Sequence, residues 1–207
     1  MQAYVPVNDY LLDYASALFE KEVSENSHIF KFGDLVQLED SERVPLNSRD
    51  RAARQGPYPY YGATGIMDHV DDYLFDGIHI LLGEDGTVIT GDGLPILQYV
   101  WGKCWVNNHA HILSPKADYS LEMLYLALRK TNITHIVTGA VQMKISQKNL
   151  NKLELVLPSP DAIPLVDAIF EAYRNSVEES AHLSTLRDNL LPKLMSGEID
   201  VSEVELP

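Results

Sequence analysis

No glycine or proline interrupts residues 165–191, and a stretch of that length with this mixture of residues is expected to form one long helix. Pro164 suits its first turn, where the missing N–H has no helical partner to lose. Pro192 and Gly197 are expected to end it. At ~1.5 Å per residue, a helix over 164–191 spans roughly 40 Å. A seam with three-four spacing runs through Val166, Ile169, Tyr173, Ser176, Ser180, Leu183, Arg187 and Leu190, apolar at both ends and small or polar in the middle. Glu171, Glu178 and Glu179 lie off it. This is an imperfect heptad, and such a helix calls for another helix against it. The acidic tail from Glu198 onward is expected to be loose.

Pro158, Pro160 and Pro164 form a hinge into that helix. Before it, residues 30–157 are heavily punctuated by Gly56, Pro57, Gly62, Gly65, Gly83, Gly86, Gly91, Gly93, Pro95 and Gly102. Short runs between these breaks read as strands at 57–61, 78–82, 96–101, 106–113 and 153–157. Short helices are predicted at 31–38, 47–55 and 121–130. Near the start, residues 8–22 predict a further helix, with Asn8 as cap, Asp9 at the positive end of the dipole, and one stripe of Leu11, Tyr14, Ala15, Leu18 and Phe19. No regular strand–helix alternation or internal repeat appears. The fold class is therefore α+β: an N-terminal helical segment over 1–29, one loop-rich domain of short strands and helices over 30–157, and a helical region with its tail over 158–207.

Charge narrows the partners less than it first suggests. The chain has 207 residues and a net charge of −14, which on its face opposes nucleic acid. The acids are unevenly placed: residues 1–30 carry −4, residues 31–155 only −3, and residues 156–207 carry −7. A near-neutral middle with local arginine clusters is compatible with an anionic ligand when the acidic ends point elsewhere. No apolar run approaches the ~20 residues that cross a bilayer, and the first residues have neither a basic stretch nor an apolar one. The expectation is a cytoplasmic protein with no membrane partner.

Catalytic chemistry finds little support in the residues. The single cysteine, Cys104, excludes an internal disulfide and a multi-cysteine zinc site. Its apolar setting beside Trp101 and Trp105 favours a buried inert thiol over a Cys–His nucleophile. His109-Ala110-His111 places two imidazoles on one face of a strand, a spacing suited to metal, yet no third ligand follows from spacing. The turns Gly83-Glu84-Asp85-Gly86 and Gly91-Asp92-Gly93 lack the Gly-Lys-Ser/Thr of a phosphate cradle. The expectation is a non-enzyme without cofactor or metal.

The middle region does hold groups suited to DNA. Arg49, Arg51 and Arg54 cluster near a predicted short helix, and arginine bonds bidentately to phosphate or guanine. On this reading Arg51→Ala weakens binding and flattens its salt dependence. Tyr58, Tyr60 and Tyr61 with Gly62, Thr64 and Gly65 suggest an aromatic, small-residue loop that allows close backbone approach. Lys144, Lys148 and Lys152 recur near Gln142 and Asn149. The plainer alternative stays open: Asp50 and Arg54 pair at i, i+4 on a solvated helix.

The run Tyr58-Pro59-Tyr60-Tyr61-Gly62-Ala63-Thr64-Gly65-Ile66, then Ile80-Leu81-Leu82-Gly83-Glu84-Asp85-Gly86, then Trp105-Val106-Asn107-Asn108-His109-Ala110-His111-Ile112-Leu113 resembles a target-recognition domain of the specificity subunits of type I restriction–modification systems. Gly139-Ala140-Val141-Gln142-Met143-Lys144-Ile145-Ser146 continues the resemblance. The segments 8–19 and 186–199 are similar to the conserved helical regions of the same family. Members typically hold two recognition domains and two helical spacers, so this chain resembles a half-subunit. The resemblance implies a protein that performs no chemistry itself. It implies a homodimer formed through the long helices, with Val166, Ile169, Tyr173, Leu183 and Leu190 on the seam. It implies double-stranded DNA as partner at a bipartite palindromic site, an adenine methyltransferase subunit, and an endonuclease/translocase subunit in the complete complex. The DNA-facing residues it favours are Arg49, Arg51, Arg54, Tyr60, Tyr61, Gly62, Thr64, Gly65, Gln142 and Lys144, whereas Trp105, Asn107, Asn108, His109 and His111 read as structural. The competing expectation is a truncated paralogue that no longer reads DNA and acts as an assembly or regulatory interaction protein.

Overall fold

The computed structural model describes residues 7–139 and 141–199. In chain order its elements are α1 (Val7–Glu25), β1 (Ser27–Lys31), α2 (Phe32–Leu35), β2 (Val36–Leu38), α3 (Ser48–Ala53), β3 (Gln55–Tyr61), β4 (Ile66–Val70), β5 (His79–Gly83), β6 (Leu97–Val100), β7 (Trp105–Val106), β8 (Ala110–Pro115), α4 (Leu121–Lys130), β9 (Val137–Thr138), β10 (Lys144–Ile145), α5 (Gln147–Leu150), β11 (Glu154–Pro158) and α6 (Ile163–Met195). Single 3-10 turns lie at Asp40–Glu42, Thr134–Ile136 and Pro160–Ala162. The class is α+β. The chain divides into two compact units, residues 16–167 and residues 1–15 with 168–207, of which 7–15 and 168–199 are described.

In the larger unit the strands form four small sheets, ordered β2-β8-β5-β6, β4-β3-β7, β1-β11 and β9-β10. Every pairing is antiparallel except β3 with β7. Strand β5 is the centre of the core: Ile80, Leu81 and Leu82 are all buried, so both of its faces are covered. Leu81 packs with Phe75, Val100, Cys104, Val106, Ala110 and Ile112, and α4 lies against β5, β6, β8 and β11. Helix α4 forms where the sequence predicts it, because Ser120 accepts the Met123 N–H at its start and Arg129 and Lys130 sit at its negative end. Its residues Leu121, Met123, Leu124, Leu126, Ala127 and Leu128 are buried.

Two predicted elements break up. The helix expected over 31–38 shrinks to the single turn α2, because the flanking residues pair in sheets instead. The Phe32 N–H reaches the Leu153 carbonyl and the Lys116 N–H reaches that of Leu35, so partners distant in sequence override local helix propensity. The strand expected over 106–113 is interrupted at Asn107, whose side-chain oxygen accepts the His109 N–H at 2.7 Å. This turn separates β7, which runs beside β3, from β8, which runs beside β5.

In the smaller unit, Ala15 and Phe170 are fully buried and Ile169 nearly so. Helix α6 counts 33 residues, ~50 Å at the ordinary rise. Pro192 does not stop it, contrary to expectation: the helix continues through that residue to Met195. Its end is a Schellman motif, in which Gly197 at φ +73° is followed by bonds from Gly197 N–H to the Leu194 carbonyl and from Glu198 N–H to that of Lys193. From 178 to 198 every residue is exposed. Leu183, Leu186, Leu190 and Leu194 fall three and four apart there, on one side of the helix.

Candidate nucleic-acid interface

The parallel pairing of Tyr60 with Trp105 and Tyr61 with Val106 sends β3 and β7 out at the same edge. The turns that follow them, 62–65 and 107–109, are therefore neighbours, and the Asn107 N–H donates to the Tyr61 carbonyl at 3.0 Å. Strand β5 brings the turn 84–87 to the same place, since Glu84 N–H donates to the His109 carbonyl at 2.8 Å. The turn 84–87 holds the fourth loop in turn: Gly86 N–H donates to the Met143 carbonyl and Ile145 N–H to that of Glu84. Between these four turns lies a cleft of about 360 Å³ whose walls include Thr64, Met67, Asp85, Thr87, His109 and Gln142. Gly139 opens the fourth loop at φ +89°, where a Cβ would be driven into the Gln142 carbonyl oxygen, so only glycine fits.

Of the residues the sequence nominates, Thr64 and Gln142 are exposed on this cleft. Gly62 is buried, its N–H bonded to the Gly65 carbonyl and its own carbonyl accepting from Gln98 at 2.9 Å, so Gly62 and Gly65 shape the first turn. Lys144 stands beside the fourth loop with its ammonium 3.2 Å from Glu84.

The tyrosines require correction. They belong to β3, not to a loop. Tyr60 is 1% exposed, packs with Val70 and Trp105, and its hydroxyl accepts the Leu46 N–H at 2.9 Å. Tyr61 packs against the cluster around Leu81, and burial pushes its hydroxyl above the ordinary value. Tyr60 is sealed in the core, and Tyr61 is half-buried.

Two of the three arginines are also held by the fold. Arg51 pairs with Asp68 at 3.1 Å, donates to the Leu46 carbonyl at 2.7 Å and covers the Tyr60 ring. Arg54 pairs with Asp71 at 2.9 Å, not with Asp50, and covers the Trp105 ring. The Gln55 amide, then the His69 N–H and Arg51, hold the Asp68 carboxyl below its ordinary range. Arg49 alone of the three is exposed with no ion pair among the described residues.

Beneath the cleft lies a buried ionic network that sequence spacing did not reveal. The Asp40 carboxylate accepts from Gln147 at 2.6 Å and from the Ile112 N–H at 3.1 Å, and lies 2.5 Å from His111 Nδ1. His111 Nε2 faces the Ile145 carbonyl at 2.9 Å. A carbonyl only accepts, so Nε2 is the donor in that contact. Arg43 joins the cluster, reaching Glu84 at 2.7 Å, Asp40 at 3.5 Å and the Ala110 carbonyl at 2.6 Å. Asp40, Glu84 and His111 are grouped closely enough to hold a metal ion, but the Arg43 guanidinium already supplies the positive charge there. His109 is not part of that group and pairs with Asp85. Asp40 and His111 are 71 residues apart; no local pattern signals their meeting.

Of the five residues read as structural, Trp105, Asn107 and His111 are buried, with the Trp105 indole donating to the Val44 carbonyl at 2.6 Å, whereas Asn108 is exposed and His109 half-exposed. Cys104 is buried too, and desolvation followed by the Asp76 charge pushes its thiol up to about 12. The folded protein should therefore leave Ellman's reagent unreacted at pH 8 and react fully once unfolded in guanidinium. Rapid labelling of the native chain would contradict this.

Residues 24–170, more than two thirds of the chain, match the family described as the type I restriction modification DNA specificity domain. A Haemophilus influenzae protein named as a type I restriction enzyme specificity subunit is 27% identical over 140 residues, covering 66% of this chain and 35% of that protein. The EcoprrI specificity subunit of Escherichia coli is 22% identical over 157 residues, covering 74% and 38%. The chain thus spans little more than a third of the length of these curated relatives. The crystal structure of a type I restriction-modification S subunit from M. genitalium shares the fold, with a TM-score of 0.58 at 18% identity over 91% of this chain and 54% of that one. On the extent of the family match, this chain belongs to the type I restriction modification DNA specificity domains.

Proposed function

We propose that this chain is a DNA sequence-recognition module of a type I restriction–modification complex. On this reading it performs no chemistry of its own. It positions an adenine methyltransferase subunit, and in the complete complex an endonuclease/translocase subunit, at a chosen site in cytoplasmic DNA. The observation that carries the proposal is the gathering of four turns at one edge, bearing Thr64, Thr87, Gln142 and His109 on a rigid backbone. Hydroxyl and carboxamide groups on a rigid backbone can discriminate base edges, as arginine can at guanine, while phosphate contacts fix register without reading sequence. The revised contact set is Arg49 and Lys144 for phosphate, Thr64 and Gln142 for bases, with Gly62 and Gly65 shaping the loop. Arg51, Arg54, Tyr60 and Tyr61 support it from behind.

Pairing belongs to the same proposal. Leu183, Leu186, Leu190 and Leu194 are exposed on one side of α6, and a lone helix with an apolar stripe is unstable in water without a partner. Two copies joined along this face would present two identical modules to a bipartite palindromic site. On this reading the seam runs through Leu183, Leu186, Leu190 and Leu194, because Val166 and Ile169 are buried within the chain itself. The deciding experiment mixes the chain with its methyltransferase subunit, a methyl donor and genomic DNA, and maps the modified adenines. A palindromic pair of half-sites with a fixed gap supports the proposal. Assembly without site-specific methylation supports the interaction-protein reading instead.

Arg49 offers a separate check. Arg49→Ala should lower affinity for duplex DNA uniformly across sequences and reduce the slope of log K against log salt by ~1. An unchanged slope removes Arg49 from the phosphate contacts.

A further inference from the structure

The two histidines of His109-Ala110-His111 are built for different tasks. His111 has both ring nitrogens engaged inside the protein. His109 has only Nδ1 engaged, by Asp85 Oδ1, and its side chain is 44% exposed on the cleft wall. Among the described residues its Nε2 has no partner. A carboxylate accepts and does not donate, so the proton of the neutral ring sits on Nδ1, and Nε2 is left as a bare acceptor. The backbone at this point is pinned on both sides, the N–H by Asn107 and the carbonyl by the Glu84 N–H. Asp85 is pinned as well, because it sits on the turn clamped to Met143 and Ile145 and forms a bridge with Lys144. The ring therefore has a fixed place, tautomer and direction. A free acceptor held that firmly beside an exposed carboxamide is arranged to meet a donor.

We propose that His109 is a specificity-determining residue, whose Nε2 accepts a hydrogen bond from the exocyclic amino group of adenine or cytosine, with Asp85 as the positioning residue that fixes its tautomer. In the major groove only these two bases present such a donor, while guanine and thymine present acceptors at the corresponding edge. The inference rests on the DNA-reading proposal above and deepens it by naming the chemical class of base that this wall of the cleft takes.

The test is selection of random-sequence duplexes by the full chain, with the bound pool sequenced. The wild-type motif should contain a position restricted to adenine or cytosine. In His109→Ala that position should lose its preference by about ten-fold, the worth of ~1.4 kcal/mol of hydrogen bonding to a base edge, while the other positions keep theirs. His109→Gln, which keeps an acceptor, should retain part of the preference. Asp85→Ala, which frees the ring to protonate either nitrogen, should broaden the same position to admit guanine or thymine. Circular dichroism melts equal to wild type for the glutamine variant secure it against misfolding. An intact motif in His109→Ala overturns the inference and leaves the DNA-reading proposal standing, as does a dependent position that proves to be guanine. If the wild-type chain enriches no motif, the DNA-reading proposal falls and the role of His109 falls with it.

Discussion

Asp40→Ala should lower the unfolding free energy by about 3–5 kcal/mol, the ordinary cost of stripping one partner from a buried ion pair. The substitution leaves the His111 imidazole, the Gln147 amide and the Ile112 N–H without their acceptor, and removes one of the two carboxylates that balance Arg43. Urea denaturation followed by tryptophan emission measures the loss as a lower midpoint at unchanged slope. A change under about 1 kcal/mol would falsify the view that this network ties the turn 40–42 to β8 and α5. The same carboxyl sets an acid limit. Burial pushes its pKa up, but the His111 hydrogen bond and charge, with Gln147 and the Ile112 N–H, outweigh this and hold it below 3.8. A depressed carboxyl stabilises the fold fully above its unfolded value, so its contribution is intact above ~pH 4. It is lost as pH falls through the lower, folded value. The wild type should therefore lose stability below that pH, and Asp40→Ala should show a smaller acid-dependent loss.

A comparable effect is expected at the exposed leucines of α6. Leu183→Asp with Leu190→Asp should shift the chain from dimer to monomer by light scattering. Each buried leucine contributes about 1.5–3 kcal/mol, and two copies lose four of them, so the dissociation constant should rise at least a hundredfold. Because both side chains are exposed in the single chain, the folded domain should keep its melting temperature. That separates loss of pairing from loss of structure. A wild-type chain already monomeric at high micromolar concentration would retire the helix face as a pairing surface.

What could be read from the sequence followed what is local. Helix α4 announces itself through an apolar run without breakers, and α6 through its uninterrupted length. The strands β5 and β6 lie between glycines and prolines, which mark their ends, while β3 stops at Gly62 and β11 at Pro158. The elements that escaped notice depend on partners far along the chain: β1 exists because Glu154–Pro158 pairs with it, and β2 because β8 does. The site divides in the same way. Thr64 and Gln142 carry side chains and a setting that suit recognition on their own terms. The tyrosines misled because period-two alternation in a strand packed on both faces hides its inward side. The arginines look unpaired in the sequence because Asp68 and Asp71, their partners, lie 17 residues away. His109 and His111 look alike in the sequence, and only the positions of Asp85 and Asp40 distinguish an open imidazole from a sealed one.

The side-by-side exit of β3 and β7 has a consequence for how such a protein changes over time. The strands are gripped by interior tyrosine, tryptophan and valine, so the frame that aims the turns does not depend on what the turns contain. On the proposed reading, exchange of a few residues at 63–64 or 141–142 would alter the word that is recognised while the core around β3 and β7 stays in place. New specificities become reachable by small steps, each one a stable protein.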